Sequence, residues 1–138
     1  MNKFVWTPKY SVGIDSIDDQ HKHFFDMANK TMELAGESKT EPRTIFEALE
    51  ELGDYAFYHF GTEEDYFDSL HYTEADAHKS IHNTFRQKIQ NIMTSAREGE
   101  NIHKIAKEAA SFAGDWLFNH ILEMDKKYAV FFHEHGVK

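Results

Sequence analysis

Cysteine is absent from the 138 residues, which excludes a disulfide framework, thiolate catalysis and iron–sulfur ligation. Proline occurs twice and glycine seven times, too rarely to interrupt long helices. Positive charge is also scarce. Fifteen Lys and Arg face 24 Asp and Glu, the formal charge is -9, and no basic cluster exists to neutralise phosphates, so nucleic acid is not expected as a partner. An anionic membrane surface repels such a chain as well. No apolar run is long enough to span a bilayer, and the opening MNKFVWTPKY has no apolar signal core. A soluble cytoplasmic protein with no membrane partner is predicted.

Core material, by contrast, is plentiful: 41% of residues are hydrophobic, 12 of them Phe. Apolar residues recur at three- and four-residue spacing, the mark of amphipathic helices. Residues 1–15 read as an extended arm, with Pro8 and Gly13 discouraging a helix and Trp6, Tyr10 and Val12 placed to cover a bundle. A first helix is expected from a capping box of Ser16 and Asp19, with its stripe at Ile17, Phe24, Phe25, Ala28 and Met32 and a stop at Gly36. Pro42 suits the first position of a second helix, striped by Ile45, Leu49, Leu52, Ala56, Phe60 and Phe67. Thr73 with Asp76 is expected to cap a third, carrying Ile81, Phe85, Ile89 and Met93. After a turn at Glu98–Asn101, a fourth shows Ile105, Ala109, Ala113, Trp116 and Leu117. The fold class is therefore all-α, an antiparallel up-down-up-down four-helix bundle with an extended N-terminal arm. A single domain, 1–138, is expected: arm 1–15, bundle about 16–125, and a tail or short helix over 126–138.

Chemistry enters where polar residues interrupt the apolar stripes. His59 and Glu63 lie four apart on the second helix, and His78 and His82 repeat that spacing on the third. His21 falls on the Ile17–Phe24 face of the first helix and His120 continues the Trp116 face of the fourth. Chance supplies roughly one such spaced pair in a chain with this much histidine, so no pair alone is informative. The set is. Five imidazoles and a carboxylate buried without partners would cost several kcal/mol, since each loses its water, and a metal is the usual common partner. Imidazole plus carboxylate without thiolate suits iron, manganese, zinc or copper, and six ligands exceed what one tetrahedral zinc uses, so two metals are implied.

The motifs W-x-x-x-Y-S-V-G-I-x-x-I-D-x-Q-H, H-F-G-T-E-E, H-K-S-I-H and W-L-x-N-H-I-L-E-M-D extend this pattern from Trp6 towards Tyr128. Together they resemble the hemerythrins, most closely the bacterial bacteriohemerythrins. The resemblance implies two Fe ions: His78, His82 and His120 on one, His21 and His59 on the other, with Glu63, Asp125 and an oxo or hydroxo group as bridges. It also implies reversible O2 binding at the second iron for storage, delivery or sensing, by a carrier and not an enzyme. A di-iron redox enzyme or an iron-sequestering protein on the same ligands is the alternative. A monomer is expected, and no protein acceptor of O2 is identified.

Asp125 comes from the resemblance alone. Helical stacking from His120 nominates Glu123 or Met124, because a residue five further on sits about 140° round an ideal helix. The fourth helix is therefore expected to loosen, bend or end near His120. Phe25 and Trp116 are expected to wall the O2 pocket, and Glu63 is preferred over its neighbour Glu64 as ligand. His23, His71, His103, His133 and His135 are expected at the surface, outside the site.

Overall fold

In a computed structural model of the chain, residues 3–98 and 101–137 are described. Four long helices, α1 (Asp15–Gly36), α2 (Pro42–Leu70), α3 (Ala75–Arg97) and α4 (Ile102–His120), form the expected bundle, and there is no strand among the described residues. Each helix packs on its two neighbours in the ring α1–α2–α3–α4, and α2 also meets α4 across the middle. The predicted stripes supply the interior, from Ile17, Phe24 and Ile45 to Phe85, Ala109 and Leu117. Each large apolar side chain so buried contributes about 1.5–3 kcal/mol relative to its exposed state.

Helix starts differ from the sequence reading. α1 begins after Ile14 with no side-chain cap, so Ser16 and Asp19 do not form a capping box. Asp18 is buried instead, and its carboxylate accepts the Val12 N–H (2.9 Å) and the Ser11 hydroxyl (2.5 Å). The arm itself thus fixes the entry to the helix. α3 likewise lacks a Thr73 cap. Its turn is set by His71, which ends α2 in the left-handed region, and by backbone bonds from Tyr72 to Phe67 and from Ala75 to Tyr72. The expected turn before α4 falls partly on residues 99 and 100, outside the described residues; Asn101 caps that helix by accepting from the Lys104 N–H.

The arm lies across α1 and α4, anchored more deeply than its sequence suggests. Phe4 is buried, with its N–H donated to Asn29 Oδ1 at 2.9 Å and its carbonyl accepting from Asn29 Nδ2 at 2.7 Å. Its ring sits where a Cβ on Gly114 would be, so glycine at that place in α4 is what lets the arm approach. The chain then continues past His120 through one π-type turn, Ile121–Asp125, into a short helix, α5 (Lys126–Glu134). α5 returns onto the end of α2, where Tyr128 and Phe132 pack with Phe67 and Tyr66. Of the tail or short helix expected over 126–138, residues 126–134 form a helix, and residue 138 lies outside the described residues.

Candidate metal centre

Each long helix delivers imidazole to one place inside the bundle: His21 from α1, His59 from α2, His78 and His82 from α3 and His120 from α4. Glu63, one turn after His59, joins them, as the i, i+4 spacing requires. Asp125 arrives by the π turn. The Lys126 N–H reaches back five residues to the Ile121 carbonyl, and this wider turn brings a residue five after His120 back to its face. All seven side chains are buried.

Their donor atoms fall into two groups, each gathered within 4.8 Å: Glu63, His78, His82, His120 and Asp125 in one, and His21, His59, Glu63 and Asp125 in the other. Both carboxylates belong to both groups. Asp125 Oδ1 lies 3.1 Å from His78 Nε2 and 3.0 Å from His120 Nε2, while its Oδ2 lies 3.2 Å from His21 Nε2. Glu63 Oε1 lies 3.2 Å from His82 Nε2 and 3.4 Å from His59 Nε2.

Close as they are, His21 Nε2, His59 Nε2, His82 Nε2, Glu63 Oε1 and both Asp125 oxygens make no well-formed hydrogen bond. They gather about two shared points without bonding to one another. Neighbouring ligands at right angles around a metal with bonds of ~2.1 Å stand ~3 Å apart, which is the separation seen. Hard carboxylate and borderline imidazole donors, with no thiolate, suit divalent first-row metals. The residues present therefore fit two metal ions.

A second layer holds the imidazoles. His59 Nδ1 pairs with Gln20 Oε1 at 2.7 Å, and Gln20 Nε2 in turn donates to Thr62 (3.3 Å). His82 Nδ1 pairs with Glu64 Oε2 at 2.7 Å, and Arg86 grips Glu64 through two nitrogens at 2.9 and 3.2 Å. The Tyr128 hydroxyl donates to Glu63 Oε2. Stacked rings close the walls: Phe60 on His82 (4.1 Å) and Trp116 on His120 (4.3 Å).

Without metal, these neighbours pull the titrations apart. Burial pushes His59 down to about 4, only partly offset by Glu63. Burial also acts to lower His82, but the close carboxylates of Glu63 and Glu64 outweigh it and raise the group to about 9. For Glu64, burial opposes ionisation, yet hydrogen bonds from His82 and Arg86 hold it at about 2. Against their own burial, Asp125 is held below its ordinary range first by His120, and Glu63 by His59 and His82. Burial, then the charge of Glu63, drives Tyr128 well above its ordinary value, so it keeps the proton that it donates.

Sequence reasoning named the seven inner residues but missed or set aside their supports. Gln20, Glu64 and Tyr128 each sit beside a feature that was read, but only the fold shows what they touch. Trp116 stacks on His120. Phe25 does not face the site: its ring packs with Phe4, Tyr10 and Phe118 under the arm, whereas Phe24 meets His59 edge-on at 6.5 Å. Of the remaining histidines, His23, His71, His133 and His135 are exposed and His103 is half-buried at the start of α4.

A helical bundle with a histidine-rich site for two cations defines a class, and the comparisons place the chain within it. The family described as "Hemerythrin HHE cation binding domain" matches residues 12–131. A bacteriohemerythrin of Clostridium acetobutylicum is 34% identical over 127 residues, 91% of this chain and 98% of that protein. One from Pseudomonas aeruginosa is 33% identical over 128 residues, 93% of this chain and 80% of the relative. The crystal structure of wild-type hemerythrin superposes with a TM-score of 0.83 at 30% identity, covering 92% of this chain and 95% of the other. This chain belongs to the hemerythrin family.

Proposed function

We propose that the protein binds O2 reversibly at two iron ions held by His21, His59, Glu63, His78, His82, His120 and Asp125, for storage, delivery or sensing. The observation that carries this reading is the unequal split of donors: three imidazoles in one group and two in the other, with both carboxylates shared. The position of His21 and His59 is thus one protein donor short, and that is where a small ligand has room. Iron and O2 as the occupants follow from membership of the hemerythrin family.

Held by these seven side chains, two iron ions would supply the reversible two-electron redox chemistry that O2 binding calls on. The chain's own residues do the rest. Gln20 and Glu64 fix the tautomers of His59 and His82 so that each Nε2 lone pair points inward. Tyr128 keeps its proton on the Glu63 side, steadying a carboxylate shared between the two positions. Phe24, Phe60 and Trp116 keep water out, which protects a reduced site from oxidation. No substrate is consumed, which makes this a carrier and not a catalyst.

The whole chain, 1–138, is taken as one domain acting as a monomer in the cytoplasm. Its charge of -9 disfavours self-association, and no helix among the described residues is long and apolar enough to cross a membrane. Sizing and cell fractionation check these two points.

The deciding experiment reduces the iron-loaded protein anaerobically, admits O2 and records the visible spectrum. A charge-transfer band that appears with O2 and vanishes on deoxygenation is expected. Immediate, irreversible conversion to the oxidised pair would favour redox enzymology, and failure to retain two irons per chain would overturn the reading.

A further inference from the structure

Outside the seven inner side chains, the two metal positions are not treated alike. The His82 imidazole, in the three-histidine group, has a carboxylate on its outer nitrogen: Glu64, at 2.7 Å. The His59 imidazole, in the two-histidine group, has a neutral amide in the same role: Gln20, also at 2.7 Å. The distances match and the charges do not. His21 and His78, one in each group, have no partner on Nδ1, so they do not separate the positions. Glu63 and Asp125 are common to both.

We infer that Glu64 and Gln20 set the order in which the two positions fill, Glu64 making the His78–His82–His120 position the tighter and Gln20 leaving the His21–His59 position the weaker. The inference rests on the two-metal reading above. An imidazole that donates Nδ1–H to a carboxylate becomes a stronger σ-donor at Nε2, because the anion stabilises the positive charge that coordination draws onto the ring. An amide oxygen orients the ring equally well but brings no charge. Arg86 offsets part of Glu64's charge from the outer side, yet its paired contacts also hold the carboxylate in line with His82. Glu64 and Gln20 are positioning residues, since each acts through a ligand and neither reaches the metal itself.

The test is an anaerobic titration of metal-free protein with cobalt(II), followed by d–d absorption and calorimetry, which needs no oxygen chemistry. The native chain should load in two resolved steps. Glu64→Gln should weaken the tighter step roughly 10–100-fold and leave the weaker one in place. Gln20→Glu should strengthen the weaker step and draw the two together. A merely structural role would weaken both steps in parallel, and that result would overturn the inference, as would single-step loading of two ions by the native chain. Should Glu64→Gln not fold, Gln20→Glu decides alone, and an unchanged weaker step would count against the inference. Uptake of fewer than two ions by the native chain would instead bring down the two-metal reading.

Discussion

At the scale of single residues, adjacent positions on one helix turn have opposite duties. Phe24 looks towards His59 and Phe25 towards Phe4 and Tyr10 of the arm. Phe24→Leu should therefore raise the autoxidation rate of the oxygenated protein by letting water nearer the site. Phe25→Leu should leave that rate alone while lowering stability by about 1 kcal/mol, read from urea denaturation. Equal effects on autoxidation would mean that the rate reports core looseness and not the wall of the site.

The same scale carries the pH dependence. In the metal-free protein His82 is raised to about 9, above its ordinary 6.5. The stability that it contributes is fully present below 6.5 and is lost as pH rises through 9. Glu64 is depressed to about 2, so its contribution is present above the ordinary 4.5 and fades as pH falls towards 2. Metal must displace the His82 proton, so near pH 7.5 calorimetry in buffers of differing ionisation heat should find a proton released on loading. In Glu64→Gln, acid unfolding of the metal-free chain should lose part of its slope between 4.5 and 2.

Among the elements, the arm and the π turn were read unequally well from sequence. The stripes of the four helices, Pro42 at the head of α2 and the stop near Gly36 were all legible, because a single face buried at helical period leaves a direct trace. The arm's hold was not. It depends on Asn29 and Gly114, which are distant in sequence from Phe4, and on Asp18, six residues after Val12, and none of the three carries a periodic signal. Asp125 was out of phase with His120, and only a break in helical geometry could reconcile the two. The π turn supplies it. Gly114→Ala would set a methyl group against the Phe4 ring, an overpacking cost of about 1–3 kcal/mol. Hydrogen exchange should then show the amides of residues 4–14 losing protection while those of α2 and α3 keep theirs.

For the molecule as a whole, the metals and the fold support each other. Five imidazoles and two carboxylates occupy the middle of the bundle, where apolar side chains would otherwise sit. Chelation leaves them with few partners, so the metal-free protein should melt at a distinctly lower temperature. Restoring metal at a free concentration about 1,000 times Kd should return about 4 kcal/mol. A melting temperature indifferent to chelator would mean that the buried cluster is satisfied without metal. Six of the candidate ligands were legible from sequence because they interrupt apolar faces, and Asp125 only through the family resemblance, whereas Gln20 and Glu64, each next to a ligand, look like any solvated polar residue of a helix. A residue's neighbour along a helix points about 100° away, and sequence alone does not say what stands there.

The π turn also bears on how a chain like this one can vary in length. Lengthening the exposed connection at 37–41 asks little, since doubling a loop costs only about 0.6 kcal/mol. The stretch from His120 to Asp125 has no such latitude. One residue inserted there would swing the carboxylate off the shared position. Single insertions scanned along the chain and scored for bound metal should be tolerated at 37–41 and fail across residues 121–125. At that place the count of residues is itself part of the metal site.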